Sequence, residues 1–174
     1  ALQWGTPTIS TGQAMIDYIT TAADMAMAGA IDAVVTCPIN KTAMKLAESK
    51  FHGHTELLAD RTGTKTYAMM MAGNRLRVVL VTIHMPLADV PEALTPDSIG
   101  TIIDLTDASL KTRFGISRPR IAVAGLNPHA GEADMFGNEE TRVILPAVLN
   151  AEQRGIEAVG PIPPDTVFYY AARG

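Results

Sequence analysis

Histidines are few in this chain of 174 residues, and three of the four occur in segments where a ligand site is usually built. His54 follows a glycine at the start of "GHTELLAD", His84 directly follows the apolar run "RVVLVTI", and His129 comes shortly after "RIAVAG". Imidazole is a common neutral ligand for zinc, cobalt, nickel and iron. If these segments border an open α/β sheet, the three histidines meet at one edge and predict a metal or substrate site there.

Several of the polar residues nearby also have plain structural explanations. A single histidine in a loop is more often a surface or capping residue than a ligand, and either His54 or Thr55 could cap the helix that follows. Lys41, after "CPIN", is expected to be a solvated lysine at a helix start. Cys37 is expected to pack against the sheet rather than to react.

The acidic residues of the second half divide into two groups. Asp134, Glu139 and Glu140 are expected to form a solvated acidic loop and helix start. Asp165, in "GPIPPDTVF", is surrounded by prolines and a glycine that would hold its loop rigid. We therefore take Asp165 as a candidate catalytic residue that either carries a proton or fixes a ligand.

Charge and composition exclude several classes of partner. The net charge of −4 is spread along the chain without a block of like charges, which argues against a nucleic-acid partner. No apolar run is long enough to span a membrane, and no stretch resembles a signal peptide. The single cysteine cannot form an internal disulfide, so a reducing, cytoplasmic setting is expected. The chain lacks an initial methionine, and we expect it to be a segment of a longer protein.

Helical and strand-like apolar patterns alternate along the chain, which predicts an α/β fold with a mostly parallel sheet covered by helices on both faces. The interval "GNR" allows one antiparallel pair within that sheet. No internal boundary is visible, so residues 1–174 are expected to form a single α/β unit. The predicted strands are a short one within 31–41 that Pro38 closes, then 67–72, 77–86 and 120–125, and a last one at the start of 156–168, ahead of the loop of Asp165. The predicted helices are 12–30, 96–115 and 138–155, the last interrupted or bent by Pro146.

The motifs "VTCPINK", "GHTELLA", "VVLVTIHMPLADV", "GLNPHAGE" and "GPIPPDTVF", in this order, closely resemble the 4-hydroxythreonine-4-phosphate dehydrogenase family of pyridoxal phosphate biosynthesis. The resemblance implies that His54 and Thr55 contact the substrate. It also implies that His84 and His129 bind a divalent metal, which could be zinc, magnesium, manganese or cobalt. His52 matches no functional position of the family.

The same resemblance implies a fold and a reaction. The fold would be a three-layer α/β/α arrangement with a mostly parallel mixed sheet, similar to isocitrate and isopropylmalate dehydrogenases. The reaction would be the NAD- or NADP-dependent oxidation of 4-phosphohydroxy-L-threonine to a β-keto acid, which loses carbon dioxide to give an aminoketone phosphate. The active site would be shared between the two subunits of a homodimer.

The resemblance also predicts what this chain does not contain. The third metal histidine, the residues that hold the substrate phosphate and most of the nicotinamide-binding loop would lie beyond residue 174. The chain would then be the central portion of a longer two-domain enzyme, and it would be inactive by itself. Two alternatives stay open: a related dehydrogenase acting on another phosphorylated hydroxy acid, such as erythronate or threonate phosphate, or a non-catalytic ligand-binding remnant.

Overall fold

The structure is a computed structural model and describes residues 3–173. It divides the chain into two compact units, Ala1–Tyr67 (unit 1) and Ala68–Gly174 (unit 2). The helices are α1 Ile9–Met27, α2 Lys41–Leu46, α3 His54–Arg61, α4 Val90–Ala93, α5 Pro96–Phe114, α6 Leu145–Gln153 and α7 Pro164–Ala171. The strands are β1 Met69–Ala72, β2 Arg77–Leu80, β3 Ile121–Ala124 and β4 Ala158–Ile162.

The described part of unit 1 is helical. Thr8 begins α1 with a capping box, in which the Thr8 and Thr11 side chains each accept from the other residue's backbone N–H. Buried Ile19, Met44 and Leu57, one from each helix, form the apolar core of this unit. Burial of these side chains holds the three helices together, since apolar burial dominates helix packing.

The predicted strand 31–41 is wrong. Residues 31–40 form neither helix nor strand, and Val35 is 97% exposed. An apolar run becomes a buried strand only beside a neighbouring strand, and none of the described strands pairs with this segment. Cys37 lies here and is exposed, so it does not pack against a sheet. Lys41 is exposed and begins α2, as predicted.

Unit 2 contains all of the described strands. The predicted antiparallel pair is confirmed: β1 and β2 form a hairpin in which Met69 lies opposite Leu80. β3 and β4 are parallel, with Ile121 opposite Ala158. The core of the unit consists of buried apolar residues from α5 and the residue that follows α4, from the segment 140–153 that includes α6, and from β4. They are Leu94, Ile99, Ile103, Val143, Ile144, Ala147, Val148, Ala151 and Ala158.

The described strands do not form the single sheet that the sequence predicts. They form two sheets of two strands, one antiparallel and one parallel. β2 and β3 do not pair with each other but both line an apolar cavity of about 960 Å³, together with one side of α5. The coarse prediction of an α/β protein is confirmed, and one of the two described strand pairs is parallel.

Local sequence signals explain the helix ends of unit 2. Thr95 forms a capping box at the start of α5, and Gly115 ends that helix with φ of +67°, a conformation that glycine adopts without strain. The helix predicted at 138–155 contains a π-helical segment, Glu140–Ile144, that leads directly into α6, and Pro146 is the second residue of α6.

The boundary between the two compact units lies in a segment without regular structure. The boundary follows α3, where residues 62–67 are exposed and belong to no helix or strand. An exposed connection of this kind contributes nothing to a shared apolar core. Within residues 3–173, no helix is both long and apolar enough to cross a bilayer.

Candidate functional site

His129 and Asp165 lie at the same edge of the parallel pair in unit 2. His129 follows the carboxyl end of β3, and Asp165 follows the carboxyl end of β4 as the second residue of α7. His129 Nδ1 is 3.6 Å from Asp165 Oδ2, and their side chains are 61% and 53% exposed. This distance is too long for a strong hydrogen bond, so the pair is a loose, solvent-facing one. Of the residues predicted for the site, these two are in contact.

The backbone around His129 is left-handed over six consecutive residues, 129–134, with φ between +43° and +78°. Only Gly131 in this stretch is a glycine. A left-handed conformation costs other residues about 1 kcal/mol or more each, so the surrounding structure must enforce it. We call residues 129–134 the left-handed turn. Strained backbone of this kind is typical of functional sites.

A buried carboxylate organises the segment before the turn. Glu140 is only 2% exposed. Its Oε1 accepts the backbone N–H groups of Leu126 and Asn127, each at 2.7 Å, and its Oε2 accepts the Asn127 side-chain amide at 2.9 Å. The same amide donates to Glu139 Oε2 at 2.7 Å. Both protons of the Asn127 amide are therefore used to join two neighbouring carboxylates.

These hydrogen bonds keep both carboxylates ionised. Burial is the largest single influence on Glu140 and raises its pKa, but hydrogen bonds from the Asn127 side chain and from the backbone N–H groups of Asn127, Glu140 and Leu126 lower the pKa below its ordinary value. The Asn127 amide is also the main cause of the lowered pKa of Glu139. The prediction that Glu140 is solvated is wrong, whereas Glu139 is half-buried and Asp134 is exposed as expected.

Glycines make room for this carboxylate. A Cβ on Gly131 would lie 2.8 Å from Glu140 Oε2, and one on Gly125 would lie 3.1 Å from Oε1. A Cβ on Gly137 would lie 2.5 Å from the Asn127 side-chain nitrogen. A side chain at Gly131 or Gly137 would therefore collide with the hydrogen-bonded atoms of Glu140 or Asn127 unless those atoms moved.

The reading of the sequence missed Asn127 and Glu140 as site-building residues. The available signal was the spacing of three glycines, Gly125, Gly131 and Gly137, which are six residues apart and stand directly before the acidic pair. Regularly placed glycines indicate a loop whose backbone lies close to a neighbouring group, and here that group is the buried carboxylate of Glu140.

His84 lies four residues beyond β2 and is exposed, with φ of +55°. Histidine adopts this left-handed region more readily than most residues, but the position is still uncommon. His84 and His129 thus share two properties: each follows a strand of unit 2, and each has left-handed backbone. The metal role predicted for the pair stays a prediction.

His54 and Thr55 are the first two residues of α3 in unit 1, and both are half-buried. The prediction that one of them caps the helix is wrong, because Gly53 occupies the cap position and no side chain forms the capping hydrogen bond. Both residues stand at the start of a helix, where the helix dipole favours anionic ligands. His52 is exposed.

The donor set fits part of a metal site. Among residues 3–173, no three His, Cys, Asp or Glu side chains form a group that could hold a metal ion. A catalytic zinc site normally uses three protein ligands, so the described residues supply fewer than a full set. The approach of Asp165 to Nδ1 of His129 nevertheless resembles the carboxylate–histidine pairs that orient metal ligands.

The fold and these residues define a class of protein: an α/β protein with histidine-bearing loops at the carboxyl ends of its strands, where such proteins bind ligands. A family model described as "Pyridoxal phosphate biosynthetic protein PdxA" matches residues 1–174. The chain belongs to this family.

Individual relatives agree with the family match. The chain is 64% identical over 168 residues to a 4-hydroxythreonine-4-phosphate dehydrogenase of Desulforapulum autotrophicum, a match that covers 97% of this chain and 49% of the relative. It is 41% identical to a D-threonate 4-phosphate dehydrogenase of Salmonella typhimurium, covering 100% of this chain and 53% of the relative. The crystal structure of a Klebsiella pneumoniae 4-hydroxythreonine-4-phosphate dehydrogenase superimposes with a TM-score of 0.91 at 42% identity, covering 100% of this chain and 52% of that one. The chain thus spans about half the length of these relatives.

Proposed function

We propose that this chain forms part of an NAD-dependent dehydrogenase that oxidises 4-phosphohydroxy-L-threonine in pyridoxal phosphate biosynthesis, with NADP as the alternative cofactor. The observation that carries this proposal is the 64% identity, over nearly the whole chain, with a relative of that name. In this reaction a hydride passes from the hydroxyl-bearing carbon to nicotinamide, and the hydroxyl loses its proton. The β-keto acid then releases carbon dioxide and leaves an aminoketone phosphate.

His84 and His129 would hold a divalent metal, which is zinc, magnesium, manganese or cobalt. When bound, such an ion acts as a Lewis acid that stabilises negative charge on oxygen during oxidation and decarboxylation. Asp165 faces Nδ1 of His129, which leaves Nε2 as the nitrogen for the metal. Of the two roles considered for Asp165, orienting this ligand therefore has more support than carrying a proton.

His54 and Thr55 would hold the substrate. A neutral imidazole can donate one hydrogen bond and accept another, and a threonine hydroxyl can do the same. Both residues are half-buried, which limits the number of side-chain conformations and suits an orienting role. The phosphorylated hydroxy amino acid would be fixed in this way with its reacting carbon directed at the nicotinamide.

The wider architecture is part of the same proposal. We place the chain in the central portion of a longer two-domain enzyme with a three-layer α/β/α fold and a mostly parallel mixed sheet, similar to isocitrate and isopropylmalate dehydrogenases. The coverage of about half of each relative supports a longer protein. The working enzyme would be a cytoplasmic homodimer with a shared active site.

A chimera tests the function directly. This chain replaces the matched region of the Desulforapulum autotrophicum relative, and NADH formation from 4-phosphohydroxy-L-threonine is measured with added zinc, manganese or magnesium. We expect turnover close to that of the intact relative. His129→Ala in the chimera should reduce turnover by at least about a thousandfold, whereas the control His52→Ala should retain it. A folded chimera that is fully active with His129→Ala would contradict the proposed site.

The second candidate function is that of a D-threonate 4-phosphate dehydrogenase. The support for it is the 41% identity of this chain to the relative of that name from Salmonella typhimurium. The two substrates differ at the position of the amine, where one carries a cation and the other a hydroxyl. Comparison of kcat/KM for both substrates in the chimera decides between them. A folded chimera that oxidises neither substrate would favour a non-catalytic remnant.

A further inference from the structure

We propose that Glu140, acting with Asn127, is the positioning residue that sets the conformation of the left-handed turn and thereby the direction of the His129 imidazole. This inference rests on the proposed function only where metal binding is concerned. The conformational part stands on the hydrogen bonds and packing of the loop alone.

The Glu140 carboxylate touches the loop on both sides of His129. It accepts the N–H groups of Leu126 and Asn127, which lie between β3 and the turn. Its Oε2 also lies 2.8 Å from the place where Gly131, two residues after His129, would carry a Cβ. One buried side chain therefore fixes the residues before His129 and packs against the backbone after it.

The geometry requires a carboxylate rather than an amide. Three N–H donors point at the two oxygens of Glu140, at distances from 2.7 to 2.9 Å. Glutamine has the same length, but its NH₂ group would face one or more of these donors, and it carries no charge to strengthen the remaining bonds. The buried charge of Glu140 is thus matched to donors that the loop itself provides.

The strained backbone of the left-handed turn explains why a residue such as Glu140 is needed to hold it. Five of the six residues in the turn are not glycine, so the left-handed backbone is unfavourable by itself. Residues in sparsely populated backbone regions persist only where the surroundings determine them. His129 is 61% exposed and is not held by burial, so its direction depends on the backbone that Glu140 fixes and on Asp165 beside its Nδ1.

Two control variants separate positioning from general stability. Glu140→Gln is the test variant. Glu152→Gln removes an exposed carboxylate on α6 and controls for charge. Val148→Ala removes core volume at a residue that is 2% exposed and controls for loss of stability in the same unit. Nuclear magnetic resonance of the 174-residue chain reports the backbone amides of Leu126 and Asn127 and the ring signals of His129.

We expect Glu140→Gln to shift the Leu126, Asn127 and His129 signals of the 174-residue chain. In the chimera, the same substitution should weaken zinc binding at His129 about tenfold to a hundredfold, as is usual when a group that orients a ligand is lost. Both controls should leave these signals and the zinc affinity unchanged. If Glu140→Gln does not fold, Asn127→Ala keeps the carboxylate and its two backbone donors, and it should produce a smaller shift of the Leu126 and His129 signals.

A folded Glu140→Gln or Asn127→Ala protein with unchanged signals from the turn would overturn the inference. So would a shift of the same size in Val148→Ala, because it would show that any loss of stability disturbs the turn. Absence of zinc binding to His129 in the wild-type chimera would contradict the proposed metal role, while the shifts of the turn would still decide the role of Glu140.

Discussion

His54 begins an ordinary helix in unit 1, whereas His129 lies in a left-handed turn in unit 2. The helix of His54 is held by apolar packing through Leu57, which is 1% exposed. The turn of His129 is held by a buried carboxylate and the N–H groups that it accepts. Two histidines predicted for one active site are thus positioned by different forces. Substitutions that remove buried apolar volume should therefore disturb the helix of His54. Substitutions that alter the buried carboxylate or the backbone of the turn should disturb the position of His129.

The largest expected effect comes from Leu57→Ala. Removal of this side chain from the packing around Ile19 and Met44 should lower the free energy of unfolding by about 2–5 kcal/mol. Denaturant unfolding measures the loss, and hydrogen exchange should locate it in unit 1. Leu46→Ala is the control, since Leu46 is 43% exposed and should cost less than about 1 kcal/mol. Equal losses in the two variants would show that burial in unit 1 does not hold α3.

Two glycine substitutions compare the units at equal backbone strain. Gly131 has φ of +78° and Gly63 in unit 1 has φ of +65°, but only a Cβ on Gly131 would meet other atoms, among them Glu140 Oε2 at 2.8 Å. Gly63→Ala should cost about 1 kcal/mol from the backbone alone. Gly131→Ala should cost about 2–3 kcal/mol, because crowding is added to that strain. A similar loss of unfolding free energy in both would argue against close packing around the carboxylate.

The parts of the fold that the sequence predicted correctly rest on local signals. The helix α5 was predicted from Pro96 at its start, Gly115 at its end and an apolar stripe between them, and each of these acts within a few residues. The strand predicted at residues 31–41 failed because its burial depends on a neighbour elsewhere in space. The same reason explains why the division of the described strands into two separate sheets could not be predicted.

The candidate site likewise contains some features that could be predicted from the sequence and others that could not. Topology placed His129 and Asp165 at one edge, because the carboxyl ends of parallel strands meet there. The buried state of Glu140 could not be predicted from its type, since glutamate is mostly exposed unless specific donors surround it. Two of the three donors are backbone N–H groups, which every residue except proline carries, so only Asn127 and the spaced glycines mark this network in the sequence.

A smaller effect is expected from acid. The lowered pKa of Glu140 means that its ionised form stabilises the folded protein, and this contribution is fully present above the ordinary glutamate pKa of about 4.3. It is lost as pH falls through the lower pKa of the folded state. Hydrogen exchange of the Leu126 and Asn127 amides, corrected for the intrinsic pH dependence, should therefore accelerate in acid. Glu140→Gln should lack this dependence, and its persistence in that variant would assign it to another group.

The smallest effect on the free energy of unfolding is expected from Asp165→Asn. This variant separates zinc binding at His129 from the stability of the fold. Asp165 is 53% exposed and 3.6 Å from His129, so its loss should lower the free energy of unfolding by less than about 1 kcal/mol. Asp97→Asn is a matched control, because Asp97 and Asp165 each follow the proline that begins their helix. The two variants should lose similar stability. Only Asp165→Asn should weaken zinc binding at His129, about tenfold or more, since it alone removes a carboxylate beside Nδ1. Equal zinc affinities in the two variants, measured by calorimetry in the chimera, would show that Asp165 does not orient the ligand and would leave the direction of His129 to the backbone alone.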